Sequence, residues 1–191
     1  MILKPDNEIL SQLRQGDESA LKHLFDNHFQ SFYKYACRIV NDTGVAEEIV
    51  QDVFINLWNK KDELTINISL VGYLKTSVKN RCLNHLKKKY VVLETNNDDH
   101  ITAVMHTGSA HEMLQKDELQ ILITKGINGL PAKTKLIFSM SRNLDLSHRQ
   151  IAEELDITQK GVEYHMTNAL RHLRHFLANH GYSLLLVSLA Q

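Results

Sequence analysis

Residues 146–174 read LSHRQIAEELDITQKGVEYHMTNALRHLR, and nearly every turn of that stretch carries a local instruction. Ser147 followed by Gln150 is a capping box: the hydroxyl can accept from the Gln150 amide while the Gln150 side chain reaches back to the Ser147 amide. Ile151, Ala152 and Leu155 then give a short helix one apolar face. Asp156 falls where the chain must reverse. Such a turn often takes glycine for its positive φ, and Asp is among the few residues that tolerate the same conformation. Ile157 returns to the core, Thr158 caps a second helix, and Val162, Met166, Ala169, Leu170, Leu173 and Leu177 recur along it at threes and fours. Helix, short turn, helix is the DNA-binding spacing, in which the second helix enters the major groove. Gln159, Lys160, Glu163, Tyr164, His165, Thr167, Asn168 and Arg171 lie near the start or on the polar face of that second helix. They would meet base edges: Arg pairs with guanine, Asn with adenine, and Glu accepts from cytosine. Periodicity taken alone also allows an ordinary helical hairpin with a solvated face. Pro131 is placed at the first position of the preceding helix, where its missing N–H costs nothing.

Working outward, periodicity resumes at Met113 and runs to about Ala178, while residues 94–111 lose it and gather Asn, Asp, Thr, Gly and Ser, as a linker does. Before the linker, residues 7–89 are again helical in pattern. Ile9, Leu10 and Leu13 form one stripe; Leu21, Leu24, Phe25, Phe32, Tyr33, Ala36 and Val40 continue it. Val45, Ala46, Ile49, Val50, Val53, Phe54, Leu57 and Trp58 share one face of a helix that Asp42 or Thr43 can cap. Leu74, Val78, Cys82 and Leu86 line a further helix over about 70–89. Only two prolines and eight glycines interrupt a chain of 191 residues that is 43% apolar. The expectation is an all-α protein of two small helical domains on a flexible linker, the second domain a helix-turn-helix. The expected boundaries are 1–93 and 112–180 for the domains, 94–111 for the linker and 181–191 for an apolar tail that packs on the second domain, with a partner contact as the alternative.

The formal net charge is zero, but the charge is segregated. Residues 1–63 carry net −4, residues 64–93 net +6 with no acid, residues 94–118 net −5 and residues 119–191 net +3. Exposed charges are screened beyond about 8–10 Å, so a basic stripe acts locally whatever the total. The +6 block sets Lys75, Lys79, Asn80, Arg81, Asn84, Lys87 and Lys88 on or just beyond one helix. Cations there can meet phosphates, and the amides and Tyr73 can meet unpaired bases, although a charge run by itself is often a solvated face. The acidic linker is expected to be a solvated tether; the alternative is a latch lying against the basic blocks.

Other chemistries are disfavoured. Eleven histidines are scattered, and His172 with His175 lacks a nearby third ligand, so no metal is expected. Cys37 and Cys82 form no CxxC pair and read as reduced thiols. There is no DxD-type carboxylate set beside a basic site, no nucleophile with a paired His and no phosphate loop, so neither catalysis nor a cofactor is expected. The opening MILKPDNEIL does not read as a signal peptide, and no apolar run reaches the roughly 20 residues of a membrane span. No membrane insertion and a cytoplasmic location are expected.

Three stretches, LRQGDESALKHLFDNHF, AEEIVQDVFINLWNKK and GYLKTSVKNRCLNHLKKK, resemble extracytoplasmic-function sigma factors of the sigma-70 family. GLPAKTKLIFSM with QIAEELDITQKGVEYHMTNALRHLR resembles the fourth region of that family. The resemblance implies a factor that directs core RNA polymerase to promoters, with promoter DNA, core polymerase and an anti-sigma factor as partners. It implies that the helix Ala46–Lys60 docks on the clamp helices of the largest polymerase subunit through Glu47, Glu48, Gln51, Asp52, Asn56 and Asn59. Lys61–Val71 would capture a flipped base of the minus-ten element, the +6 helix would hold the separated strand, and the 159–174 helix would read the minus-thirty-five element. The family often carries several arginines where this chain has Glu163, Tyr164, His165 and Thr167, a departure that bears on the minus-thirty-five sequence and not on the groove. The alternative is a dimeric helix-turn-helix regulator of operator DNA, which leaves the Ala46–Lys60 helix unexplained.

Overall fold

A computed structural model describes residues 6–64, 69–95 and 118–182. Among them are eight α-helices and no strand: α1 (Asp6–Arg14), α2 (Glu18–Val40), α3 (Thr43–Asn59), α4 (Leu70–Thr95), α5 (Glu118–Asn128), α6 (Ala132–Arg142), α7 (His148–Leu155) and α8 (Gln159–Asn179). The all-α class follows from the sequence stripes. Residues 96–117, which include most of the stretch expected to be a linker, residues 183–191 of the expected tail, and residues 65–68, within the stretch expected to capture a flipped base, lie outside the described residues.

The chain divides into two compact units, Met1–His85 and Leu86–Gln191, so the division falls within α4. In the first unit, α2 and α3 are joined by a sharp reversal. Asn41 closes α2 in the left-handed region at φ 53°, its N–H donating to the Cys37 carbonyl, and the Asp42 carboxylate accepts the Val45 N–H at 3.1 Å to start α3. That settles the cap on Asp42 in place of Thr43. The reversal turns the stripes together: Leu24, Phe32, Ala36 and Val40 of α2 are buried, as are Ala46, Ile49, Val50, Val53, Phe54 and Leu57 of α3. Phe25 meets Phe54 edge-on at 5.1 Å between ring centres. Leu70, Leu74, Val78 and Cys82 of α4 are fully buried, and Leu13 seats α1 on the same core. Each fully buried leucine or valine contributes roughly 1.5–3 kcal/mol, which is why the stripes and not helix propensity decide this arrangement.

In the second unit, α5, α6 and α7 all pack on α8. Gly126 of α5 permits a close approach: a Cβ there would stand 2.9 Å from Leu173 Cδ2 and 3.1 Å from Phe176 Cδ1. Ile137, Met140, Leu144, Ile151 and Val162 form the centre, each at most 1% exposed. Pro131 stands one position earlier than expected, at the N-cap of α6. Its ψ of 145° keeps it outside the helix, while its carbonyl accepts the Lys135 N–H at 2.9 Å.

Candidate nucleic-acid interface

The turn between α7 and α8 forms as the local chemistry dictates. Ser147 Oγ accepts the Gln150 N–H at 3.3 Å and Gln150 Oε1 accepts the Ser147 N–H at 2.9 Å, completing the capping box. Asp156 adopts φ 50°, ψ 51°, and the Ile157 N–H donates to the Ala152 carbonyl at 3.0 Å. Thr158 Oγ1 then accepts the Gly161 N–H at 3.1 Å and starts α8. With Val162, Met166, Ala169 and Leu173 held in the core, Gln159, Lys160, Glu163, Tyr164, Thr167 and Arg171 are left exposed. At 3.6 residues per turn these six fall within an arc of about 140°. Tyr164 is 65% exposed, although its ring is large and apolar.

The other two candidates on α8 sit differently. Asn168 is half-buried and accepts from Arg171 Nη1 at 3.2 Å. His165 turns toward α6, where its Nδ1 shares a 2.9 Å hydrogen bond with Oγ1 of the buried Thr134. Burial, and secondarily the nearby Lys133 charge, holds the His165 imidazole below its ordinary pKa. His165 lies at the border of the apolar stripe, one residue before Met166, and that register is the signal that could have marked it.

In the first unit, α3 leaves Glu47, Glu48, Gln51 and Asn59 exposed and Asp52 and Asn56 half-buried. Among them stands a residue absent from the sequence-based set. Ile55, 56% exposed, sits one turn after Gln51 and one turn before Asn59, on the face opposite the core. On α4, Asn80 and Asn84 point outward one turn apart; Lys75 and Lys88 are exposed, and Lys79 and Lys87 half-buried. Lys75 Nζ lies 5.6 Å from the Tyr35 ring centre. Arg81 Nη1 reaches Asp52 Oδ2 at 2.7 Å, joining α4 to α3, and both side chains stay partly exposed. Beside this pair a recess of about 250 Å³ lies between the helices, lined by Val53, Asn56 and Lys60 of α3 and Tyr73, Ser77, Asn80 and Arg81 of α4. Within the second unit, Lys87 Nζ donates to Glu154 Oε2 at 2.8 Å. Among the described residues no helix is long and apolar enough to cross a membrane.

The residues that make these surfaces fall inside two family matches. Residues 24–90 match the model for sigma-70 region 2, and residues 120–173 match the model for sigma-70, region 4. The chain is 24% identical over 155 residues to the Haemophilus influenzae protein named "Probable RNA polymerase sigma factor", covering 73% of this chain and 80% of that one. It is 25% identical over 157 residues to the ECF RNA polymerase sigma factor SigW of Bacillus subtilis, covering 78% and 83%. Against the ECF RNA polymerase sigma factor SigK of Mycobacterium ulcerans it is 20% identical over 178 residues, covering 90% and 92%. Among solved structures it is similar to the sigma factor RpoE bound to the anti-sigma factor NepR from Bartonella quintana, with 18% identity, a TM-score of 0.45 and coverage of 82% and 96%. The chain belongs to the extracytoplasmic-function group of the sigma-70 family and is an RNA polymerase sigma factor for promoter recognition.

Proposed function

We propose that α3 docks on core RNA polymerase through Glu47, Glu48, Gln51, Asp52, Ile55, Asn56 and Asn59. In this reading α4 holds the separated minus-ten strand through Lys75, Lys79, Asn80, Arg81, Asn84, Lys87 and Lys88. The exposed arc of α8, Gln159, Lys160, Glu163, Tyr164, Thr167 and Arg171, reads the minus-thirty-five element, with Asn168 beside it. His165 serves that arc indirectly, through its bond to Thr134. The proposed domains are 1–93 and 112–180, joined by 94–111. The factor supplies recognition and no catalytic group, acts in the cytoplasm and answers to an anti-sigma factor.

The observation that carries the reading is the α3–α4 junction. Asn80 and Arg81 line the same recess as Asn56, so a strand held on α4 lies next to the face assigned to polymerase. Unstacking a base costs a few kcal/mol, and a recess with amide and guanidinium donors can return it through stacking and hydrogen bonds.

The test is transcription in vitro with purified core polymerase, joined to measured core affinity and permanganate footprinting. Ile55→Asp should weaken core binding at least tenfold and leave the fold intact, because the side chain is exposed. Asp52→Lys is the poorer probe, since it sets a second cation against Arg81. Asn80→Ala should reduce bubble formation more than core binding. Normal core affinity in Ile55→Asp, or a normal bubble in Asn80→Ala, would remove the corresponding assignment.

A further inference from the structure

Two side chains of α1 reach far along the sequence to the facing ends of α3 and α4. Asp6 Oδ2 accepts the Leu70 N–H at 2.7 Å, at the first turn of α4. Arg14 Nη2 donates to the Leu64 carbonyl at 2.8 Å and Nε to the Lys61 carbonyl at 3.4 Å, just past the end of α3. The chemistry is matched at both places. The first amides of a helix lack carbonyl partners and carry partial positive charge, which a carboxylate satisfies. The Lys61 and Leu64 carbonyls lie in the turn that follows α3, and a guanidinium makes charge-assisted hydrogen bonds to them.

Each helix also has a local bond at the same end. Ser69 Oγ already accepts the Gly72 N–H at 3.0 Å, a local cap for α4. The Lys60 N–H already donates to the Asn56 carbonyl at 3.0 Å, closing α3. What the α1 contacts add is location. Ile9, Leu10 and Leu13 seat α1 on the core, and its length from Asp6 to Arg14 is about 12 Å at 1.5 Å per residue. A rigid bar anchored in the core thus holds the start of one helix and the exit of another. Both residues precede residue 24, where the region 2 match begins.

We propose that α1 is a positioning element for strand capture: Asp6 and Arg14 set where the first turn of α4 lies relative to α3. Through that they set where Asn80 and Asn84 meet DNA, without touching DNA themselves. The inference rests on the reading of α4 as the strand-holding helix.

The test uses the full chain with core polymerase and a duplex library randomised over the minus-ten and minus-thirty-five windows. Wild-type protein selects heparin-resistant complexes, and the selected duplexes then serve as probes. Asp6→Ala and Arg14→Ala should each lower permanganate-reactive complexes at least fivefold and flatten base preference in the minus-ten window. Core affinity and minus-thirty-five preference should stay within twofold of wild type. Asp6→Asn keeps an accepting oxygen and should return opening to within twofold. If Asp6→Ala does not fold, Arg14→Ala decides, since Arg14 is exposed. Wild-type opening and minus-ten preference in both alanine variants overturn the proposal. So does a loss of core affinity or minus-thirty-five preference in the same ratio as opening, which marks general destabilisation. If wild-type protein selects no duplex at all, the strand-holding reading itself fails, a result distinct from both.

Discussion

Cys82 shows how burial decides chemistry at a single residue. It is fully buried on α4, and its thiol is pushed up to about 12, by burial first and then by the neighbouring Cys37. A thiol so placed holds almost no thiolate near neutral pH, and thiolate is the reacting form. Iodoacetamide at pH 8 should therefore modify the half-buried Cys37 first, with Cys82 labelled only once the protein unfolds; mass spectrometry of tryptic peptides separates the two. His165 supplies a second case. Its folded pKa is lowered, so the native state binds fewer protons than the unfolded chain below the ordinary value of about 6.5. Stability of the second unit should then fall as pH drops through that value, and His165→Gln, which bonds but does not titrate, should flatten the fall. His28 in the first unit is also lowered, by burial first, so the difference between wild type and His165→Gln in thermal unfolding midpoints is the quantity to read.

Individual elements owe their ends to a few strained or capped positions. Asp156 holds φ 50° at the close of α7, a conformation that costs an L-residue about 1 kcal/mol and glycine nothing. Asp156→Gly should stabilise the second unit by up to about 1 kcal/mol, offset in part by the added freedom of glycine in the unfolded chain. Asp156→Val should destabilise it by more than that. Chemical denaturation gives both values, and a stabilised valine variant would show that the turn is not held where the capping bonds place it. The box at Ser147 and the cap at Thr158 fix the other ends, so the turn length between α7 and α8 is determined locally.

For the molecule as a whole, zero net charge hides two net-basic stretches of sequence, and salt is the means of probing them. Lys88 is exposed on α4 within a block of net +6, with Lys89 beside it. Each phosphate a lysine neutralises adds about 0.7–0.9 to the slope of log affinity against log salt. Replacing Lys88 and Lys89 together by alanine should lower the slope for holoenzyme on DNA by roughly 1.5, with little change of sequence preference. Lys87→Ala should change the slope less, since Lys87 is paired with Glu154. An unchanged slope in the double variant would place the phosphate contacts elsewhere.

By itself the sequence determined whatever is set within about four residues along a helix. The stripes of α2, α3 and α8, the capping box at Ser147, the left-handed turn at Asp156 and the cap at Thr158 all belong to that range, because each is a contact between neighbours on one helix or turn. The exposed arc of α8 followed from the same periodicity. Tertiary structure decided every case in which a side chain at the border of a face finds a partner on another helix. His165 turns to Thr134, 31 residues away, and Arg81 to Asp52, 29 residues away, although the sequence assigned that pair to separate surfaces. Asp6 accepts the first amide of a helix 64 residues on. The physical reason is common to all three. Periodicity states which residues share a face, but the packing of a neighbouring helix decides how far that face is covered and which polar group waits at its edge.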